Sequence, residues 1–91
     1  MYTLRITSQA KKDIAYLKKK GEKAAIKKIE KLLIELMEHP KTGTGHVEQL
    51  KGNRYGEWSR QIDKKNRLIY TINDNIVTVE VISAKGHYGD K

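Results

Sequence analysis

The chain has no cysteine, no phenylalanine, one proline and one tryptophan among its 91 residues. Without cysteine there is no disulfide scaffold, no thiolate zinc site and no thiol nucleophile. Pro40 and seven glycines are too few for linker material, and no internal repeat or low-complexity tract is present. The longest uncharged apolar run is far short of the ~20 residues that span a bilayer. Met1-Tyr2-Thr3-Leu4-Arg5 opens without a charged region followed by an apolar run, so no secretory signal is expected. Acidic residues are also scarce. Nineteen Lys+Arg face eleven Asp+Glu, giving a net charge of +8 and a pI near 9.7. This predicts a polyanionic partner, nucleic acid ahead of a membrane surface, for a soluble cytoplasmic protein. The length admits one domain, 1–91, with one modest core.

The basicity is uneven. Residues 1–40 carry ten Lys/Arg against five acids, residues 41–67 seven against three, and residues 68–91 two against three. Tyr2–Ile6 alternates apolar and polar residues and predicts a strand. Ser8 is an N-cap candidate for a first helix carrying Ala10, Ile14 and Leu17 and ending at Gly21. Glu22 opens a second helix whose stripe is Ala25, Ile26, Ile29, Leu32, Leu33, Leu36 and Met37, stopped by Pro40. Residues 41–57 hold Gly43, Gly45, Gly52 and Gly56 without a period, a long irregular connection of the kind that often carries function. Strand-like runs follow at Trp58–Ile62, Arg67–Ile72 and Ile76–Ile82, separated by short polar turns. The order β-α-α-β-β-β predicts an α+β fold: a mostly antiparallel, curved sheet with both helices packed on one face. Val77, Val79 and Val81 are expected to face those helices. One strand presents a parity conflict, because Trp58 and Ile62 share a face with Arg60. A semi-polar concave face would relieve it.

Few side chains can do chemistry. His39 suits a helix C-terminus. His46 has no spacing partner for a metal, and no metal or other cofactor is expected. His87 follows the last strand in Lys85-Gly86-His87-Tyr88. Glu48 sits in the long loop, where Lys51 could pair with it. Arg60 and Arg67 lie on neighbouring strands. They could pair with Asp63 or Glu57, or together fork a phosphate. No phosphate-binding glycine loop of either common type is present. Residue chemistry alone therefore describes a basic α+β domain that binds nucleic acid.

Several motifs in order add more: Gly45-His46-Val47-Glu48-Gln49-Leu50-Lys51-Gly52, Gly56-Glu57-Trp58-Ser59-Arg60-Gln61-Ile62, Asn66-Arg67-Leu68-Ile69-Tyr70 and Gly86-His87-Tyr88. Together they resemble the YoeB/Txe branch of the RelE-type bacterial toxins, over nearly the whole chain. The resemblance implies a RelE-like fold and a ribosome-dependent, metal-free mRNA endoribonuclease. Such a toxin cuts message in the ribosomal A site, arrests translation and is neutralised by a cognate antitoxin. It further implies attack by the 2′-OH on the adjacent phosphodiester, leaving a 2′,3′-cyclic or 3′-phosphate and a 5′-OH end. By the same resemblance Glu48 is the general base, Arg67 stabilises the transition state and Arg60 binds the phosphate. His87 is the general acid, and Tyr88 and Lys51 contact substrate. Gln61, Asn66, His46-Val47 and the Gly89-Asp90-Lys91 extension depart from the family pattern.

The exposed stripe Lys20, Lys23, Lys27 and Lys31 is a candidate contact to ribosomal RNA. The implied partners are an acidic antitoxin, the 70S ribosome with its mRNA, and operator DNA reached through the antitoxin complex. Monomer and homodimer both stay open, and no membrane is involved. The alternative reading is a non-catalytic nucleic-acid-binding module acting within an antitoxin–operator complex.

Overall fold

The computed structural model describes residues 1–86. Strand β1 (Thr3–Ile6) leads into helices α1 (Ser8–Lys19) and α2 (Lys23–Glu38). Strands β2 (Glu48–Gln49), β3 (Glu57–Gln61), β4 (Arg67–Asn73) and β5 (Thr78–Ser83) follow, with a 3-10 turn at Gly52–Arg54. They form a five-stranded sheet in the order β1-β5-β4-β3-β2, in which β1 runs parallel to β5 and the other neighbours are antiparallel. The α+β architecture expected from the sequence is therefore present.

Both helices form where apolar residues recur on one face. From α1, Ala10 and Leu17 are buried, and from α2, Ala25, Ile29, Leu32 and Leu36. These side chains cover Leu68, Tyr70, Val79 and Val81 on one face of the sheet, along with Ile62 and Ala84. Closing the core at Leu32 or Leu36, both fully buried, is worth about 2–5 kcal/mol per residue relative to alanine. The α1 cap is Thr7 rather than Ser8. Its hydroxyl accepts the Ala10 N–H at 3.1 Å and donates to the Ile82 carbonyl at 2.8 Å, so one side chain starts the helix and ties it to β5. Gly21 adopts φ 75° after α1, the left-handed conformation that ends a helix cheaply on glycine.

Two further expectations need correction. Val77 does not face the helices with Val79 and Val81. It lies in the β4–β5 turn with φ 47° and is 44% exposed. The Asn73 side chain accepts the Asn75 and Ile76 N–H groups, which keeps the chain turning until β5 starts at Thr78. The region 41–57 is also not wholly irregular, since β2 pairs with β3 through Glu48↔Ser59 and Gln49↔Trp58. Among the described residues the buried carboxylate is Asp13 on α1. Its Oδ2 accepts the Ala84 N–H at 3.0 Å and its Oδ1 the Gln9 amide at 2.8 Å, which joins α1 to the chain leaving β5.

Candidate functional site

Because strand side chains alternate between faces, β3 divides its polar residues between two environments. Trp58, Arg60 and Ile62 point toward the helices. Glu57, Ser59 and Gln61 point to the opposite face. The pairing Arg60↔Leu68 and Trp58↔Tyr70 puts Arg60 among core residues, whereas Gln61↔Arg67 and Ser59↔Glu48 put Arg67 and Glu48 on the other side. The two arginines are therefore not partners at one phosphate.

Arg60 is fully buried. Its Nε donates to the Tyr70 hydroxyl at 3.2 Å. Nη1 donates to Glu35 Oε1 at 2.9 Å and to the Thr44 carbonyl at 3.3 Å. Nη2 donates to the Thr42 carbonyl at 2.7 Å and to the His39 carbonyl. Those contacts use all five guanidinium donors. The expectation that Arg60 binds the scissile phosphate is thus corrected: no donor faces outward, and the charge is balanced by Glu35. The parity conflict has the same resolution. Arg60 stays on the apolar face because the turn after α2 curls its carbonyls around it.

That turn needs glycine at Gly43, where φ is 124° and a Cβ would stand 2.6 Å from Glu35 Oε1 and 3.0 Å from Arg60 Nη1. Tyr70 completes the knot by donating to the Pro40 carbonyl at 2.7 Å. His39 contributes its backbone here.

The Glu35 carboxyl has a depressed pKa. Partial burial pushes it up, but the Thr44 N–H and the Arg60 charge outweigh burial and hold it below the ordinary 4.5. A depressed folded pKa contributes stability above the unfolded value, and this is lost as pH falls through the folded one. Glu35→Gln should therefore flatten the fall in melting temperature below about pH 4.5 relative to the parent chain. Parallel melting curves for the two proteins across that range would contradict this.

On the opposite face, three adjacent strands bring Glu48, Ser59 and Arg67 together. Arg67 Nη1 donates to the Ser59 hydroxyl at 3.0 Å and stands 4.0 Å from Glu48 Oε1. The Arg67 side chain is 15% exposed and that of Glu48 is 45% exposed. A largely shielded cation thus lies beside a partly exposed carboxylate, and Ser59, fully buried between them, orients the guanidinium. The arrangement can accept a proton at Glu48 while holding an anion at Arg67. Lys51 is exposed just past β2, beyond the buried Leu50 that anchors this segment. The Arg67 N–H donates to the Gly86 carbonyl at 2.9 Å, so the chain leaves the sheet beside this site. The expected site residues His87 and Tyr88 come next and lie outside the described residues.

A family model described as YoeB-like toxin of bacterial type II toxin–antitoxin systems matches residues 6–88. The chain belongs to this family. Toxin YoeB of Synechocystis is 38% identical over 68 residues, covering 75% of this chain and 77% of that protein. A YoeB/ParE toxin structure from Agrobacterium tumefaciens superposes with a TM-score of 0.85 at 29% identity, covering 94% of this chain and 99% of that one. YoeB of Staphylococcus aureus is similar both in a heterotetrameric complex with the antitoxin YefM and as a dimer. The first has TM-score 0.78, 34% identity and coverage of 97% and 99%. The second has TM-score 0.80, 33% identity and coverage of 96% and 98%.

In this toxin, sequence reasoning singled out Glu48 and Arg67, and the sheet brings them together. It missed Ser59, whose signal was its register position between them. It also missed Glu35 and Tyr70 as the groups that hold Arg60. Lys23, Lys27 and Lys31 are exposed along α2, with Lys20 exposed at the end of α1. Folding also brings Lys65 and Lys85 to a cleft with Lys20, Tyr16 and Asn66. There the Lys85 ammonium sits 4.2 Å from the centre of the Tyr16 ring. No helix among the described residues is long and apolar enough to cross a membrane.

Proposed function

We propose that this toxin is a ribosome-dependent mRNA endoribonuclease that cuts message in the A site and so inhibits translation. The observation that carries the reading is the Glu48–Ser59–Arg67 constellation on the open face of the sheet. Glu48 takes the proton from the 2′-OH. The 2′-oxygen then attacks phosphorus, and Arg67 offsets the charge that builds on the non-bridging oxygens. The P–O5′ bond breaks as His87 gives a proton to the 5′-oxygen, since an imidazole can supply one near neutral pH. The products are a 2′,3′-cyclic phosphate, which water then hydrolyses to a 3′-phosphate and a free 2′-OH, and a 5′-OH end. Each step is assigned to a side chain, and the proposal includes no metal ion. Tyr88 and Lys51 hold the substrate, Tyr88 by stacking on a base.

The toxin acts in the cytoplasm. Lys20, Lys23, Lys27 and Lys31 meet the ribosomal RNA backbone. An acidic antitoxin neutralises the toxin and links it to operator DNA. This is supported by the net charge of +8 and by the relative crystallised with its antitoxin. A homodimer is supported by the dimer of the same relative.

The test is to map 5′ ends of a defined message incubated with the toxin, with and without 70S ribosomes. New 5′-OH ends should fall within the A-site codon and require the ribosome. Equal cutting of naked message, or none on ribosomes, would overturn the proposal. The second outcome is what a non-catalytic binding module would give.

A further inference from the structure

Asn66 is a departure from the family motif, yet it is 93% buried and all its polar atoms are used. It sits in the turn between β3 and β4, immediately before Arg67. Its side-chain Oδ1 accepts the Gly86 N–H at 3.0 Å, while the N–H of Arg67 donates to the Gly86 carbonyl at 2.9 Å. Gly86 is thus gripped on both sides of its α-carbon by two consecutive residues. It takes φ 80°, a conformation open to glycine, as the chain turns off the sheet. One residue earlier but one, Ala84 is held by Asp13 through its N–H.

The grip depends on which way the Asn66 amide points, and Asp63 settles that. Asn66 Nδ2 donates to Asp63 Oδ1 at 3.1 Å and to Oδ2 at 3.2 Å. Asp63 is itself fixed, because its Oδ1 accepts the N–H groups of Lys65 and Asn66, each at 2.8 Å. A carboxylate can only accept, so the amide nitrogen must face it and the amide oxygen must face Gly86. An amide turned the other way would set its NH2 against the Gly86 N–H.

We propose that Asn66, oriented by Asp63, is a positioning residue for the reaction: it fixes Gly86 against Arg67, and with it the point from which the chain continues to the general acid of the proposed reaction. This rests on the general-acid role of His87 proposed above.

The test is single-turnover cleavage on message-programmed 70S ribosomes, with each variant made in the parent and in a His87→Ala background. Asn66→Ala should slow the cleavage step roughly 10- to 100-fold at saturating ribosome complex, with little change in the half-saturating concentration. In the His87→Ala background the same change should cost less than about twofold, because there is no acid left to misplace. Asp63→Asn is the milder second variant. It keeps the turn's backbone hydrogen bonds but removes the demand on the amide, so it should follow the same pattern. The double change Asp63→Asn/Asn66→Asp restores an amide–carboxylate pair with an acceptor toward Gly86 and should recover most of the rate. An equal fractional loss in both backgrounds, or a parental rate for both single variants, would overturn the clamp alone. A parental rate for His87→Ala would instead overturn the general-acid assignment.

Discussion

Glu48→Gln is expected to slow cleavage by roughly 10²–10⁴-fold, the range that a positioned general base contributes. The amide is isosteric with the carboxylate but cannot take the 2′-OH proton at neutral pH. The fold should be indifferent to it. Glu48 lies on a two-residue strand, its side chain is 45% exposed, and its distance of 4.0 Å from Arg67 is the outer limit of an ion pair. Such a pair is worth about 0–1 kcal/mol. The variant should therefore melt close to the parent while losing growth arrest and A-site cleavage together. Parental toxicity in a soluble, folded Glu48→Gln protein would remove Glu48 from the mechanism.

The second large effect concerns stability. Arg60→Ala should destabilise the toxin by about 3–5 kcal/mol, the cost of breaking a buried pair by removing one member. It removes the cation that balances Glu35 and one donor from each of the His39, Thr42 and Thr44 carbonyls, and it leaves the Tyr70 hydroxyl with only its bond to Pro40. A domain of this size has roughly 5–15 kcal/mol in total, so much of the protein would unfold on modest warming. Arg60→Lys should fail as well, since a lysine ammonium has three donors and no planar fork to reach five acceptors. Urea unfolding with activity corrected for the folded fraction checks this. A chain with Arg60→Lys that melts like the parent but no longer cleaves would return Arg60 to the phosphate.

What could be read beforehand follows from which forces are local. The α2 stripe from Ala25 to Met37 repeats at helical spacing, and the strands show their period of two, so element order and fold class were legible. Glu48 and Arg67 were legible through motif order. Arg60 was not. Its parity with Trp58 and Ile62 pointed inward, but the solvation cost of a guanidinium pointed outward. What decides between them is three backbone carbonyls of the 39–44 turn, which no residue type encodes. The two-residue β2 is too short to leave a period, and the fold of the Val77 turn comes from the Asn73 side chain rather than from the valine. Asn66 read as a deviation because its partner, Gly86, is twenty residues away.

The alternation along β3 has a genetic consequence. Ser59 serves the open face and Arg60 the buried knot, and they are chain neighbours. An insertion or deletion of one codon within Glu57–Gln61 would exchange them, sending a guanidinium into the site and a hydroxyl into the core. Stability and toxicity would then fail in one event. A frame-preserving indel ahead of Arg60 in this strand should consequently abolish growth arrest and lower the melting temperature together. The strand ties the lethality of the toxin to its foldedness, so a cell that disarms it by this route also discards the protein.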